Sequence, residues 1–285
     1  MTALFKKPKQ LIPTTSAQVA RMLIFQSTRS PVLLTGDWVT TDWGKARIKG
    51  RLGQRHADVM EITQRTALQT FTEADGRVQI LTDPYTLRRA LASGKRRKRT
   101  AKKTLSLYSS EELNILFDDL RNADVEWEIN GGKRGGVTKI VNAKEWATIT
   151  SLDPLNPGQE RRLWKITLSA PWAALMGDIG LWYDPTAIIH MKNSISKAVA
   201  RLLLGHDRKK WHQTGLLLET VLDQLKIPRG QGRWDAKRRL AEDMAGFGVY
   251  GLEISDGHII DTRTLAQTPG PLAQTPGLIG FNRAL

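Results

Sequence analysis

Residues 230–243 read GQGRWDAKRRLAED, and with Arg229 just before them they carry five cations, Arg229, Arg233, Lys237, Arg238 and Arg239. Trp234 and Leu240 fall inside the stretch, and Met244 and Phe247 follow it. The spacing predicts a helix over roughly 232–246 with one apolar edge and one basic edge. A helix of that kind lies on a membrane, packs as an ordinary solvated helix, or enters a DNA groove. The neighbouring segments choose among the three.

Upstream, NSISKAVARLLLG (193–205) predicts a helix capped by Asn193 or Ser194 that presents Ile195, Val199, Leu202 and Leu203. QTGLLLETVLDQLKIP (213–228) predicts another, with Leu218, Val221, Leu222 and Leu225 inward and Pro228 past its end. Downstream, VYGLEISDGHIIDTRTL (249–265) predicts two strands around the turn Ser255–Gly257. Helix, helix, basic helix, hairpin is the order of a winged helix, whose third helix can place its outer edge in a major groove. The reading puts Leu240, Met244 and Phe247 on the inner edge. It puts Arg233, Lys237 and Arg238 outside as base readers, with Arg229 and Arg239 on phosphates. The final turn, Ser255–His258, offers little charge to a phosphate.

The same order is predicted once more in residues 50–150. GQRHADVMEITQRTAL (53–68) reads as a helix with Ala57, Met60 and Leu68 among its buried candidates, and GRVQILT (76–82) as a strand. DPYTLRRALAS (83–93) begins with Asp83 at an N-cap and Pro84 at the first helical position. In YSSEELNILFDDLRNA (108–123), Ser109 and Glu112 fit a capping box, and Leu113, Leu116, Phe117 and Leu120 share one face. A hairpin follows: DVEWEIN (124–130), the basic glycine-rich turn GGKRGG (131–136), and VTKIVNAKEWATIT (137–150) as one strand. The expected fold is therefore α+β, two tandem winged helices. Residues 1–49 form an N-terminal extension, with a short helix capped by Thr15 or Ser16 and strands in 30–50. Residues 151–163, which open with SLDPLNPGQERR, read as a linker. Residues 164–264 make the second unit; within it LWKITLSAPWAALMG (163–177) reads as a strand running into a short helix, and DPTAIIHM (184–191) is ambiguous between strand and turn. Residues 265–285 are a tail with LAQTPG twice, read as flexible and as a slipped duplication.

Charge supplies the partner class. Among 285 residues, 43 are Lys or Arg and 28 Asp or Glu, a net charge of +15 and a pI near 10.2, which argues for a polyanion. Seven of the nine residues from Lys95 to Lys103 are basic. Lys95, Arg96, Arg97, Lys98, Arg99, Lys102 and Lys103 are assigned to phosphates, as are Lys133 and Arg134 of the glycine-rich turn. The third helix of the first unit carries Glu111, Glu112, Asp118 and Asp119 against Arg121 alone. Those carboxylates repel phosphate, so this unit is expected to hold backbone or to pair with protein rather than to read bases.

Several function classes drop out. No run approaches the ~18 apolar residues of a membrane span, and the start lacks a signal-peptide pattern. There is no cysteine, no Walker A motif and no H-x-H or H-E-x-x-H pair, and His206 and His212 make a weak metal case. Tyr85, Tyr108, Tyr183 and Tyr250 have no histidine cluster beside them to support a nickase. Asp178, Asp184 and Glu145 have no spacing that brings them together. The tryptophans, Trp127, Trp146, Trp164 and Trp211 for instance, read as core anchors first and base-stacking platforms second. No enzyme activity, metal or cofactor is expected.

With its two predicted winged helices, and with GRLGQRHADVMEIT (50–63), YSSEELNILFDDLRNADVEWEI (108–129) and GRWDAKRRLAEDM (232–244), the chain resembles the replication initiators of iteron-containing plasmids, the RepA/TrfA-like group, over roughly residues 50–262. The resemblance implies a bacterial cytoplasmic protein that binds double-stranded DNA with direct repeats and no membrane. It implies that the second winged helix is the main reader, which maps onto Arg233, Lys237 and Arg238. The first would contact phosphates as a monomer and form a homodimer interface. The host replication initiator and the replicative helicase would be partners. A plasmid or phage winged-helix repressor without a replication role is the alternative that the layout leaves open.

Overall fold

A computed structural model describes residues 12–92, 108–150, 160–207, 211 and 214–263. Among the described residues the chain is mixed helix and strand, with four small antiparallel sheets. It opens with β1 (Thr15–Ser16) and α1 (Ala17–Arg21). The Ser16 hydroxyl accepts from the Val19 amide at 3.2 Å, which starts α1 and buries Val19 and Met22. The helix then stops early, because Leu23 takes φ 55° and turns the chain.

β2 (Leu34–Thr41) and β3 (Gly44–Gly50) form a hairpin, followed by α2 (Gln54–Arg65). Ala57 and Met60 are buried on α2, but the helix ends before Leu68, which is 43% exposed rather than buried. The single strand expected after α2 is a hairpin, β4 (Gln69–Thr72) with β5 (Val78–Thr82). In α3 (Pro84–Ala92) the Asp83 carboxylate accepts from the Tyr85 amide at 2.9 Å and from the Thr86 hydroxyl. In α4 (Ser110–Asn122) Ser109 Oγ accepts from the Glu112 amide at 3.1 Å. The Glu112 carboxylate reaches one residue further back than a capping box requires, to the Tyr108 amide at 2.6 Å. Leu113, Leu116, Phe117 and Leu120 face the core.

β6 (Asp124–Ile129) alternates cleanly, burying Val125, Trp127 and Ile129. It pairs with β7 (Arg134–Lys139) through a turn that puts Asn130, Gly131 and Gly132 at positive φ. Gly135 and Gly136, read as turn, belong to β7: a Cβ on Gly135 would lie 2.5 Å from the Trp127 carbonyl oxygen. The long strand expected at 137–150 is two strands. Ile140 is fully buried where the chain leaves β7 for β8 (Val141–Thr150), which pairs with β9 (Glu160–Leu168) instead.

β9 corrects the expected boundary. It starts inside the stretch read as linker, joins the sheet order β4-β5-β9-β8, and buries Trp164, Ile166 and Leu168 in the first core. α5 (Ala170–Asp178) adds Trp172, Leu175 and Met176 to that core. The remaining first-half sheet runs β2-β3-β6-β7, so strands from the expected extension complete it. β10 (Gly180–Leu181) pairs back to β1.

The second core begins at α6 (Thr186–His190), a helix where sequence left strand or turn. α7 (Ser194–Leu204), β11 (Leu216–Leu217), α8 (Leu218–Gln224), α9 (Gln231–Ala241), α10 (Met244–Gly248), β12 (Leu252–Ser255) and β13 (His258–Asp261) follow, with sheet order β11-β13-β12. The β12–β13 turn places Asp256 and Gly257 at positive φ, as a two-residue hairpin turn demands.

The two cores meet through charge. Asp58 and Glu61 on α2 face Lys197 and Arg201 on α7, and all four side chains are almost wholly buried. The Arg201 guanidinium donates to Glu61 Oε1 at 2.7 Å, to Asp58 Oδ1 at 2.8 Å and to Gln54 Oε1 at 2.6 Å. Lys197 donates to Asp58 and to the Ile189 carbonyl. Tyr183 donates to Glu61 and Tyr108 to Asp58, at 2.8 and 2.9 Å. Burial lowers the Lys197 pKa. Burial also works against Arg201, but the Glu61 and Asp58 carboxylates outweigh it and hold that guanidinium charged.

Candidate nucleic-acid interface

Gly230 precedes α9 with φ 75° and ψ −131°, a conformation that glycine adopts without strain. From there α9 packs Ala236 and Leu240 into the second core. Its C-terminal end docks on α7, where Asn193 Nδ2 donates to the Arg239 carbonyl at 3.1 Å. The single helix expected to 246 breaks at Glu242–Asp243. The reason is a tertiary contact: the Asp243 carboxylate accepts from the Lys192 and Asn193 amides at 2.8 and 3.0 Å. Phe247 is buried from α10 instead, and Met244 is half-buried.

This packing fixes the rotation of α9, and it changes the assignment of one residue. Arg233 is 8% exposed and faces α8, where its guanidinium pairs with Glu219 and Asp223. Hydrogen bonds to these carboxylates raise its pKa above the ordinary value. Arg233 lies seven residues before Leu240, so helical geometry puts both on one stripe. It is therefore not on the outer edge. Lys237 is on that edge, half-exposed, with Glu219 Oε1 at 2.5 Å. Hydrogen bonds from Lys237 and then Arg233 hold the Glu219 carboxyl below its usual range. Arg238 is half-exposed, 3.5 Å from Glu242 and 3.6 Å from Asp235. Arg229 and Arg239 are exposed and have no ion-pair partner among the described residues.

Two outward residues were missed. Trp234, read as part of the apolar edge, is 59% exposed. Its indole lies 5.7 Å from the Arg238 guanidinium, within cation–π range. With Gln231 it occupies the first turn of α9, and both side chains face solvent. The signal was present: Trp234 is four residues before Arg238, and so shares its face.

In the first half, Lys133 is exposed at the β6–β7 turn, while Arg134 is tied to Asp178 of α5. Lys95, Arg96, Arg97, Lys98, Arg99, Lys102 and Lys103 lie outside the described residues. The carboxylates of α4 turn out to be largely occupied. Glu112 pairs with Arg55, Asp119 with His56 at 3.1 Å, and Asp118 with Arg121 at 3.4 Å. Arg55 of α2 thus offsets Glu112 and Arg121 offsets Asp118, while Glu111 stays exposed on α4.

Among the described residues no group of three His, Asp or Glu is placed to hold a metal ion, and no helix is long and apolar enough to cross a membrane. No family model and no curated protein matches the chain. Among solved structures it is similar to the crystal structure of RctB domains 2–3. That match covers 84% of each chain at a TM-score of 0.48 and 9% sequence identity. A likeness at this level carries neither fold nor activity across, so the chain's own geometry has to support any function.

Proposed function

We propose that the chain is a sequence-specific double-stranded DNA-binding protein, built as two tandem winged helices, that initiates plasmid replication at directly repeated origin sites. The observation that carries the DNA reading is the outward face of α9. There Gln231, Trp234, Lys237 and Arg238 are displayed together, with Arg229 and Arg239 at the flanks. Glutamine and arginine suit bidentate contacts with adenine and guanine, and lysine a single acceptor. The flanking arginines take phosphates. Arg233 leaves the base-reading set and becomes the tie that holds α9 on α8.

The replication role rests on the sequence resemblance, as do the host initiator and replicative helicase as partners. The first half serves as the backbone-holding or dimerising unit. Footprinting the purified protein over fragments of the DNA that encodes it tests the reading. Protection of several direct repeats beside an A·T-rich stretch is the expected result. A single protected palindrome over a promoter would favour the repressor, and no protection at all would contradict both.

A further inference from the structure

Between α3, α4 and the β8–β9 end of the sheet lies a groove of about 920 Å³. Cross-strand register puts Trp146 of β8 opposite Trp164 of β9, on the same face of the sheet. Trp164 is buried under α4, edge-on to Phe117 with ring centroids 5.7 Å apart. Trp146 continues that aromatic surface beyond the helix and is 60% exposed. Tyr85 at the start of α3 lines the same groove and is 69% exposed. Neither ring belongs to a hydrophobic core. Two large aromatic side chains are thus left open in one groove, outside both cores.

The charges around them have one sign in excess. Arg162 lies 5.2 Å from the Trp146 ring and has no carboxylate partner among the described residues. Lys144 lies 4.6 Å from the Trp164 ring and donates to Asn114 Oδ1. Arg88 and Arg121 add to the lining. Of the two carboxylates present, Asp83 caps α3 and Asp118 pairs with Arg121. Aromatic platforms interleaved with cations suit a polyanion with flat, unpaired rings. A duplex keeps its bases stacked inside, where Trp146 and Tyr85 could not reach them. A peptide partner would have to supply both acidic groups and planar side chains.

We propose that this groove binds a single nucleic-acid strand, with bases stacked on Trp146 and Tyr85 and the backbone held by Arg88 and Arg162. The site is separate from α9 and independent of the replication reading. The test is anisotropy of labelled oligodeoxythymidine and oligouridine, each of about 16 nucleotides, titrated with the full chain. Either strand should bind. Trp146→Ala should weaken binding roughly 10- to 100-fold, the range of one lost stacking partner, with Tyr85→Ala acting similarly and Trp146→Phe restoring most of the loss. Both rings are exposed, so the variants should keep the melting temperature of the parent. Lys237→Ala with Arg238→Ala should leave strand binding intact. Absence of strand binding, an unchanged affinity in Trp146→Ala, or displacement by poly-glutamate as effective as by unlabelled strand would overturn the proposal.

Discussion

Arg233 shows how one residue can be misplaced by a pattern that is otherwise read correctly. Its spacing from Lys237 put it on a basic edge, but its partners Glu219 and Asp223 sit on another helix, four residues apart. That pairing is tertiary and invisible to a scan along one helix. Arg233→Ala should therefore lower the melting temperature and leave the selected DNA consensus unchanged, which thermal denaturation and site selection on one sample would establish. Trp234 is the opposite case, a member of the helix's apolar series that faces out. Thymine's C5 methyl is the apolar group on the major-groove edge of a base pair. Replacing thymines one at a time by deoxyuridine in a bound duplex should cost about fourfold in affinity at one position, the value of roughly 0.8 kcal/mol for a buried methyl group. In Trp234→Ala that penalty should vanish. An equal penalty in both proteins would mean that the indole touches no methyl.

At the scale of elements, what was legible was local. The cap and apolar stripe of α4, the inward face of α8 and the β12–β13 turn all follow from residues within one turn or one hairpin of each other. β9 was legible as a strand from Leu163 onward, but its start and its place in the first core were not, because Pro154, Pro157 and Gly158 just before it read as a linker and its partner strand β5 lies some eighty positions earlier. The α2–α7 junction was missed for a related reason. Asp58 and Glu61 on α2 have their partners Lys197 and Arg201 on α7, some 140 positions away, so neither helix's own sequence marks them as a buried network. Removing one member of such a network leaves an opposite charge buried without compensation. Asp58→Ala should cost on the order of 3–5 kcal/mol in urea unfolding. A loss under about 1 kcal/mol, the range of exposed pairs, would show that the junction is wet and loosely held in solution.

At the scale of the whole molecule, burial depresses the pKa values of three histidines among the described residues, one on α2, one at the end of α6 and one after α7. His56, His190 and His206 are all lowered chiefly by desolvation, against the opposing pull of Asp119 on His56. Between their folded values and the ordinary value of about 6.5, the unfolded chain binds more protons than the folded one. Stability is then fully present above about pH 6.5 and declines as the pH falls, by at most about 1.4 kcal/mol per pH unit for each histidine. Denaturant midpoints measured from pH 8 to pH 5 should be level and then fall; a midpoint that rises on acidification would contradict the burial. The central claim is that the outward face of α9 reads DNA sequence. Selection from randomised duplexes, run with the wild type and with Lys237→Ala plus Arg238→Ala, tests it most directly. The wild type should select a defined consensus, and the double variant should lose stringency at adjacent base positions while keeping its melting temperature. The same consensus at the same stringency from both proteins would place sequence reading elsewhere in the molecule.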